Sequence, residues 1–141
     1  MTRHELRTCV FLLLFQKDFY PDEQYGEQQD IFLNEIKKED PLTEEDQALV
    51  EAEVAAILSH LPEIDAKIEA ASEGWKLNRI AKAELAILRV GVYEALYDED
   101  IPASVAIDEA VELAKDYGRE RSYAFVNGIL DTICQGGPEE T

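Results

Sequence analysis

The sequence predicts an all-α protein, and three observations predict it. The stretch from Arg79 to Tyr97, RIAKAELAILRVGVYEALY, is apolar on nearly every side from Leu85 onward; only Arg89, Glu94 and the hydroxyls of Tyr93 and Tyr97 interrupt it. A helix apolar all round is either wrapped by other helices or spans a bilayer, and a span needs about 20 mostly apolar residues, more than this stretch supplies. Glycines (7) and prolines (5) are few in 141 residues, and β-branched runs are short, a composition that favours helices. Along most of the remaining chain, apolar residues recur at helical spacing. Gly91 sharpens the reading of the central helix: a glycine there costs about 1 kcal/mol against alanine, so it marks close approach by another helix.

The elements follow in order. Residues 3 to 17 read as a first helix, with Leu6, Val10, Leu13 and Leu14 on one face. Arg3, Arg7 and Phe11 make an i, i+4, i+8 row on another face, with Phe15 one turn on. Guanidinium groups beside exposed aromatics suit single-stranded RNA, with charge for phosphates and flat rings for bases; the same pattern also fits a solvated arginine pair beside core phenylalanines. Tyr20-Pro21-Asp22 ends this helix. A second, from about Tyr25 to Lys38, is carried by Ile31, Phe32 and Ile36 and ended by Asp40-Pro41.

Thr43 caps a third helix, with Asp46 in the place of an imperfect capping box. Val50, Val54, Ile57, Leu58 and Leu61 form its stripe, and His60 near its end complements the negative pole of the helix dipole. Pro62 fits the first turn of a fourth helix, with Ile64, Ile68 and Ala71 inward and Gly74 after its end. The central helix, 79–97, is the fifth. Ile101-Pro102 starts the sixth, lined by Ala106, Ala110, Leu113, Ala114 and Tyr117, with Gly118 as its C′ residue. After Arg119–Ser122, Tyr123 to Cys134 is the seventh, with Phe125, Val126, Ile129, Leu130 and Ile133 inward. A polar tail, 136–141, follows. Seven helices in two packed bundles result, 1–61 and 62–141.

The formal charge of −18 argues against a nucleic-acid partner if taken alone. Its distribution says more. From Glu39 to Glu73 there are eleven acids and one base, a net of −10, whereas Met1 to Lys17 carries three bases and one acid, a net of +2. The acid-rich stretch is a solvated face that keeps the chain soluble. Cys9 and Cys134 lie in apolar helical runs, as buried free thiols in a reducing cytoplasm do, and no spacing suggests a metal site. The apolar run from Cys9 to Phe15 lacks the small-residue cleavage site of a signal peptide. Glu109 and Glu112 are ordinary helix-surface charges, since no cleft or metal ligand accompanies them.

Several strings, in their order, resemble the NusB family of transcription antitermination factors. They are Trp75-Lys76-Leu77-x-Arg79, Glu84-x-Ala86-Ile87-Leu88-Arg89, Tyr93-Glu94, the run from Ile101-Pro102 through Val105-Ala106-Ile107 to Glu109-Ala110-Val111-Glu112-Leu113-Ala114-Lys115, and Phe125-Val126-Asn127-Gly128-x-Leu130-Asp131. Arg7-x-Cys9 and Leu14-Phe15-Gln16 fit the first helix of that family, while residues 18–74 match only in layout. The resemblance implies seven helices in two bundles and no catalysis or cofactor. It also implies binding to the boxA element of nascent RNA, a heterodimer with NusE (a small-subunit ribosomal protein), and action on elongating RNA polymerase in the cytoplasm, especially in ribosomal RNA transcription. It allows a homodimer through the RNA-binding surface, which would be autoinhibition.

Carried across residue by residue, the resemblance places RNA contacts at Arg3, Arg7, Phe15, Ser122 and Phe125. It adds Arg121, at a position where a family member can carry an acid. It places Glu84 on the side that faces NusE. Positive and aromatic side chains are thereby expected to gather where the first and last helices meet. The family often carries four or more arginines in the first helix; here there are two, plus His4 and the intervening Glu5. Each lost phosphate contact lowers the salt slope by about 0.7 in log–log terms for a single strand, so RNA binding by this chain alone is expected to be weak and to depend on NusE, with Arg119 and Arg121 partly replacing the missing charge. The alternative is a helical interaction module that keeps the NusE-type partner and has lost strong RNA binding. An enzyme reading, in which the same fold precedes a ribosomal RNA cytosine methyltransferase, finds no glycine-rich cofactor loop or catalytic cysteine motif here.

Overall fold

Arg3 to Lys17 forms α1, and its first turn is closed by a full capping box. The Thr2 N–H donates to Glu5 Oε1 at 2.7 Å and the Glu5 N–H donates back to Thr2 Oγ1 at 3.1 Å. Hydrogen bonding to Thr2, first to its backbone N–H and then to its side chain, holds the Glu5 carboxyl below its ordinary pKa. In the computed structural model, residues 2–17, 43–73 and 76–135 are described. The expected second helix at 25–38 with Ile31, Phe32 and Ile36, the breaks at Tyr20-Pro21-Asp22 and Asp40-Pro41, the Gly74-Trp75 pair and the tail at 136–141 lie outside the described residues. Those residues contain six α-helices and one 3-10 turn.

The chain divides into two compact units, Met1–Leu58 and Ser59–Thr141. In the first, α1 buries Cys9, Val10, Phe11, Leu13 and Leu14, and with them Arg7. The second described helix, α2 (Glu44–Ser59), is capped by Thr43, whose Oγ1 accepts the Asp46 N–H at 3.0 Å. Val50, Val54 and Ile57 are buried along it, the i, i+4, i+7 stripe expected of an amphipathic helix. Leu58 is half-buried, and Leu61 belongs to the next helix.

In the second unit, α3 (Leu61–Ala71) has Pro62 in its first turn and buries Ile64 and Ile68 completely. His60 is the residue that precedes α3, and its ring stacks on Tyr97 at 4.4 Å and 19°, with Tyr93 stacked on Tyr97 in turn. His60 thus directly follows Ser59, the last residue of α2, and its ring packs on both tyrosines. The expected helix from Arg79 is shorter than its sequence suggested. Leu77–Arg79 is a 3-10 turn, Ile80 and Ala81 are extended, and α4 runs from Lys82 to Leu96. Glu69 Oε2 accepts the Leu77 N–H at 3.2 Å, tying the turn to α3. The break tucks Ile80 inward, leaving it 6% exposed.

From Leu85 to Val92 every residue of α4 is buried, as an all-round apolar helix requires. It packs against both α5 (Ala103–Tyr117) and α6 (Ser122–Cys134); α5 also packs on α6, and α3 meets α4 and α6. Gly91 is the point of closest approach. A Cβ there would lie 2.9 Å from Leu130 Cδ1 and 3.3 Å from Ala110 Cβ, so helices on two sides require its absence. The one buried cation of α4, Arg89, is matched by α3: its Nε and Nη2 donate to Asp65 Oδ1 and Oδ2 at 2.9 and 3.0 Å, a bidentate pair. On α5, Ala106, Ile107, Ala110, Leu113 and Ala114 face inward, whereas Tyr117, expected on that side, is 44% exposed. On α6, Val126, Ile129 and Leu130 are buried, while Phe125 and Ile133 are only half-buried.

A candidate RNA-binding cavity

The break before α4 and the turn before α6 open onto one cavity of about 520 Å³ in the second unit. Arg79, Ile80 and Glu84 line it from the α4 side. Arg119, Glu120, Arg121, Ser122 and Phe125 line it from the α6 side. Local structure explains each placement. The 3-10 turn ends at Arg79, leaving its side chain exposed at the rim. Because α4 begins only at Lys82, Glu84 falls in its first turn. Arg121 immediately precedes α6 and is exposed, and Phe125 lies one turn further on.

Ser122 is the hub that holds the two sides together. Its Oγ donates to Glu84 Oε2 at 2.5 Å and accepts the Arg119 backbone N–H at 2.8 Å. Both side chains are enclosed, with Ser122 2% and Glu84 8% exposed. The Arg119 guanidinium completes the triangle at longer range, its Nη2 3.8 Å from Glu84 Oε1. A hydrogen bond to a charged acceptor is about twice as strong as a neutral one, so the Ser122–Glu84 contact fixes both the loop and the carboxylate.

Gly118, where α5 ends, serves the same network. Its φ of −90° and ψ of −174° are extended backbone open to any residue, so the left-handed C′ role expected of it does not apply. A Cβ at Gly118 would instead lie 2.5 Å from Ser122 Cβ and 2.7 Å from both Ser122 Oγ and the Ala114 carbonyl oxygen. Only glycine lets Ser122 reach Glu84.

Three guanidinium groups, on Arg79, Arg119 and Arg121, thus meet two carboxylates, on Glu84 and Glu120. The local balance is positive in a chain whose formal charge is −18. Half-buried Phe125 and buried Ile80 give the cavity an apolar wall. Guanidinium groups around an aromatic ring can hold phosphates while a base stacks.

Of the residues singled out from sequence, Arg121, Ser122, Phe125 and Glu84 come together here. Glu84, expected on the side that faces NusE, lines the cavity and is 8% exposed, with its carboxylate bonded to Ser122. Arg79 was singled out only as part of a motif. A signal for it was present: from Lys76 to Lys82 there are three bases and no acid. Arg3, Arg7 and Phe15 belong to the first unit and divide there. Arg3 is exposed, Arg7 is 5% exposed, and Phe15 is half-buried, stacked on the buried Phe11 at 6.1 Å. The row Arg3, Arg7, Phe11 is therefore not one open surface, because its middle and far members turn inward.

Comparison with known proteins bears on this arrangement. A family model described as the NusB family matches residues 4–135. The transcription antitermination protein NusB of Agathobacter rectalis is 44% identical over 130 residues, covering 92% of this chain and 97% of that protein. Among solved structures, T. maritima NusB is similar with a TM-score of 0.85 and 37% identity, covering 99% of this chain and 96% of the other. A structure of the antitermination factors NusB and NusE in complex with dsRNA is similar with a TM-score of 0.77 and 26% identity, covering 96% and 98%.

Proposed function

The chain belongs to the NusB family, and from that premise we propose that it is a transcription antitermination factor that binds boxA-type single-stranded RNA and pairs with NusE. The observation that carries the RNA part is the cavity, which Arg79, Arg119 and Arg121 line together with Phe125. Positive charge concentrated at a cleft raises the local concentration of a polyanion. It does so here although the molecule as a whole is acidic. In this reading Arg3, Phe15, Arg121 and Phe125 touch RNA directly. Arg7 and Ser122 are too enclosed to do so and brace the exposed groups beside them. Glu84, at the start of α4, is the candidate on the side that faces NusE.

The chemistry is tethering rather than catalysis, as befits a family of antitermination proteins. One chain holds an RNA segment and NusE together, and NusE joins it to RNA polymerase, so that two modest affinities combine through effective concentration. This places the protein with the transcription machinery in the cytoplasm. No helix of the described residues is long and apolar enough to cross a membrane.

The test is a titration of boxA-like RNA, with and without NusE, at several salt concentrations. The expected result is weak binding alone, tighter binding with NusE, and a slope set by a few phosphate contacts at about 0.7 each. Equal affinity in the two series would refute the dependence on NusE. A second reading, a module that keeps NusE and has lost strong RNA binding, is favoured by the burial of Arg7, which leaves α1 one exposed arginine, Arg3. Recovery of NusE without RNA in a pull-down would identify it.

A further inference from the structure

The cavity contains a group that phosphate binding does not need. Glu84 puts a carboxylate on its floor, where a polyanion would be repelled. The rest of the site makes no use of that charge except to hold Ser122, and Ser122 takes only one of its two oxygens. Among the described residues, Glu84 Oε1 accepts no hydrogen bond. Its nearest cation is Arg119 Nη2 at 3.8 Å, beyond hydrogen-bonding distance. The Arg119 side chain is 78% exposed, so it can swing to a phosphate without leaving a packed position.

We propose that the cavity is a single-base pocket in which Glu84 selects guanine and rejects uracil; this rests on the RNA-binding reading given above. A carboxylate accepts hydrogen bonds and donates none, so it reads donors. The Watson–Crick edge of guanine presents two adjacent donors, N1–H and N2–H, which suit a carboxylate. Uracil offers one donor, N3–H, between two carbonyl oxygens that would point towards the same charge. Adenine and cytosine set one amino group beside a ring-nitrogen lone pair and fall between. The space suffices, since small-molecule pockets run from about 300 to 1,000 Å³. The wall formed by Phe125 and Ile80 takes the face of the base, and the arginines at the rim take the flanking phosphates. The 2.5 Å bond from Ser122 fixes the carboxylate orientation in advance, and because each carboxylate oxygen has two acceptor sites, Oε2 can take a second donor while Oε1 takes the first.

The experiment uses the full chain and twelve-nucleotide oligouridylates carrying one central guest, guanosine, inosine or uridine, titrated by fluorescence anisotropy at low salt. A good bidentate base contact discriminates by on the order of tenfold or more. The guanosine guest is expected to bind tighter than uridine by about that factor, with inosine, which lacks the N2 amino group, between them. In Glu84→Gln the amide oxygen still accepts from Ser122, and the ratio of guanosine to uridine affinity is expected to fall to about one. Measurable binding with equal affinity for all guests would overturn the proposal and leave the RNA reading standing. Retention of the guanosine preference in Glu84→Gln would overturn it as well. Failure of every oligonucleotide to bind would overturn the base pocket and favour the second reading, a module that has lost strong RNA binding. The guest series in the unaltered chain decides the matter even if the variant folds poorly.

Discussion

Two regions of this molecule carry arginines, and the structure treats them differently. On α1 the two arginines are one turn apart, yet only Arg3 is exposed and Arg7 is enclosed. Around the cavity of the second unit, Arg79 comes from one stretch and Arg119 and Arg121 from another, and all three are exposed. Arg89 is the limiting case of the first kind, paired in bidentate fashion with Asp65. The difference teaches that a count of cations along a helix does not measure the charge available to a ligand. Burial decides which guanidinium groups can reach a phosphate, and a loop anchored at both ends can gather what a helical row divides.

The comparison can be tested from its structural extreme. Asp65→Ala removes the carboxylate that pairs with Arg89. Removing one partner of a buried pair costs about 3 kcal/mol, so thermal or denaturant unfolding should register a large loss. The fraction that stays folded should bind RNA as before. A change in RNA affinity of that fraction would blur the line between structural and ligand-facing arginines.

Charge removal comes next. The double variant Arg119→Ala, Arg121→Ala should lower the salt slope by about 1.4, from two phosphate contacts at about 0.7 each. Arg3→Ala should lower it by about 0.7. Arg7→Ala should instead weaken folding, by about 1–3 kcal/mol for disturbing a buried charged group, and leave the slope unchanged. A double Arg3→Ala, Arg7→Ala variant with an unaltered slope would remove α1 from the site and leave the cavity as the whole of it.

Smaller effects separate the packed from the open face of the second unit. A Cβ at Gly128 meets nothing within 4 Å, so Gly128→Ala should stabilise α6 by about 1 kcal/mol from helix propensity alone. Gly91→Ala gains the same propensity but forces a methyl between Leu130 and Ala110; overpacking costs about 1–3 kcal/mol, so the net should be a small loss. Smallest is the behaviour of Cys134. Its thiol is pushed above its ordinary pKa by burial and then by the charge of Asp131. Alkylation near pH 8.5, about the pKa of a free thiol, should be slower than for a model thiol, and Asp131→Asn should speed it slightly.

The sequence showed the second unit clearly where packing follows a period. The all-round burial of α4 from Leu85 to Val92, the tight approach at Gly91 and most of the inward faces of α5 and α6, though not Tyr117, Phe125 or Ile133, could be read from spacing, because apolar periodicity and a costly glycine are local signals. The site was legible only in fragments. Arg121, Ser122 and Phe125 are neighbours in the chain, and a family resemblance pointed to them. Glu84, 38 residues from Ser122, could not be placed opposite it without the fold. The start of α4 was misplaced because Ile80 and Ala81 have the composition of a helix; their extended backbone serves tertiary burial, which periodicity does not report. Burial of Arg7 has the same origin. A guanidinium on a helix looks solvated until the elements that cover it are known.

The bond between Ser122 and Glu84 has a consequence for how this protein can vary. Gly118, Ser122 and Glu84 form a set in which each residue makes sense only beside the other two. A larger residue at 118 expels the hydroxyl, an alanine at 122 leaves the carboxylate without its donor, and an apolar residue at 84 leaves the hydroxyl with nothing to donate to. Single changes at these positions should therefore be harmful in isolation and tolerated only as coordinated replacements, so that the three drift together through evolutionary time or not at all.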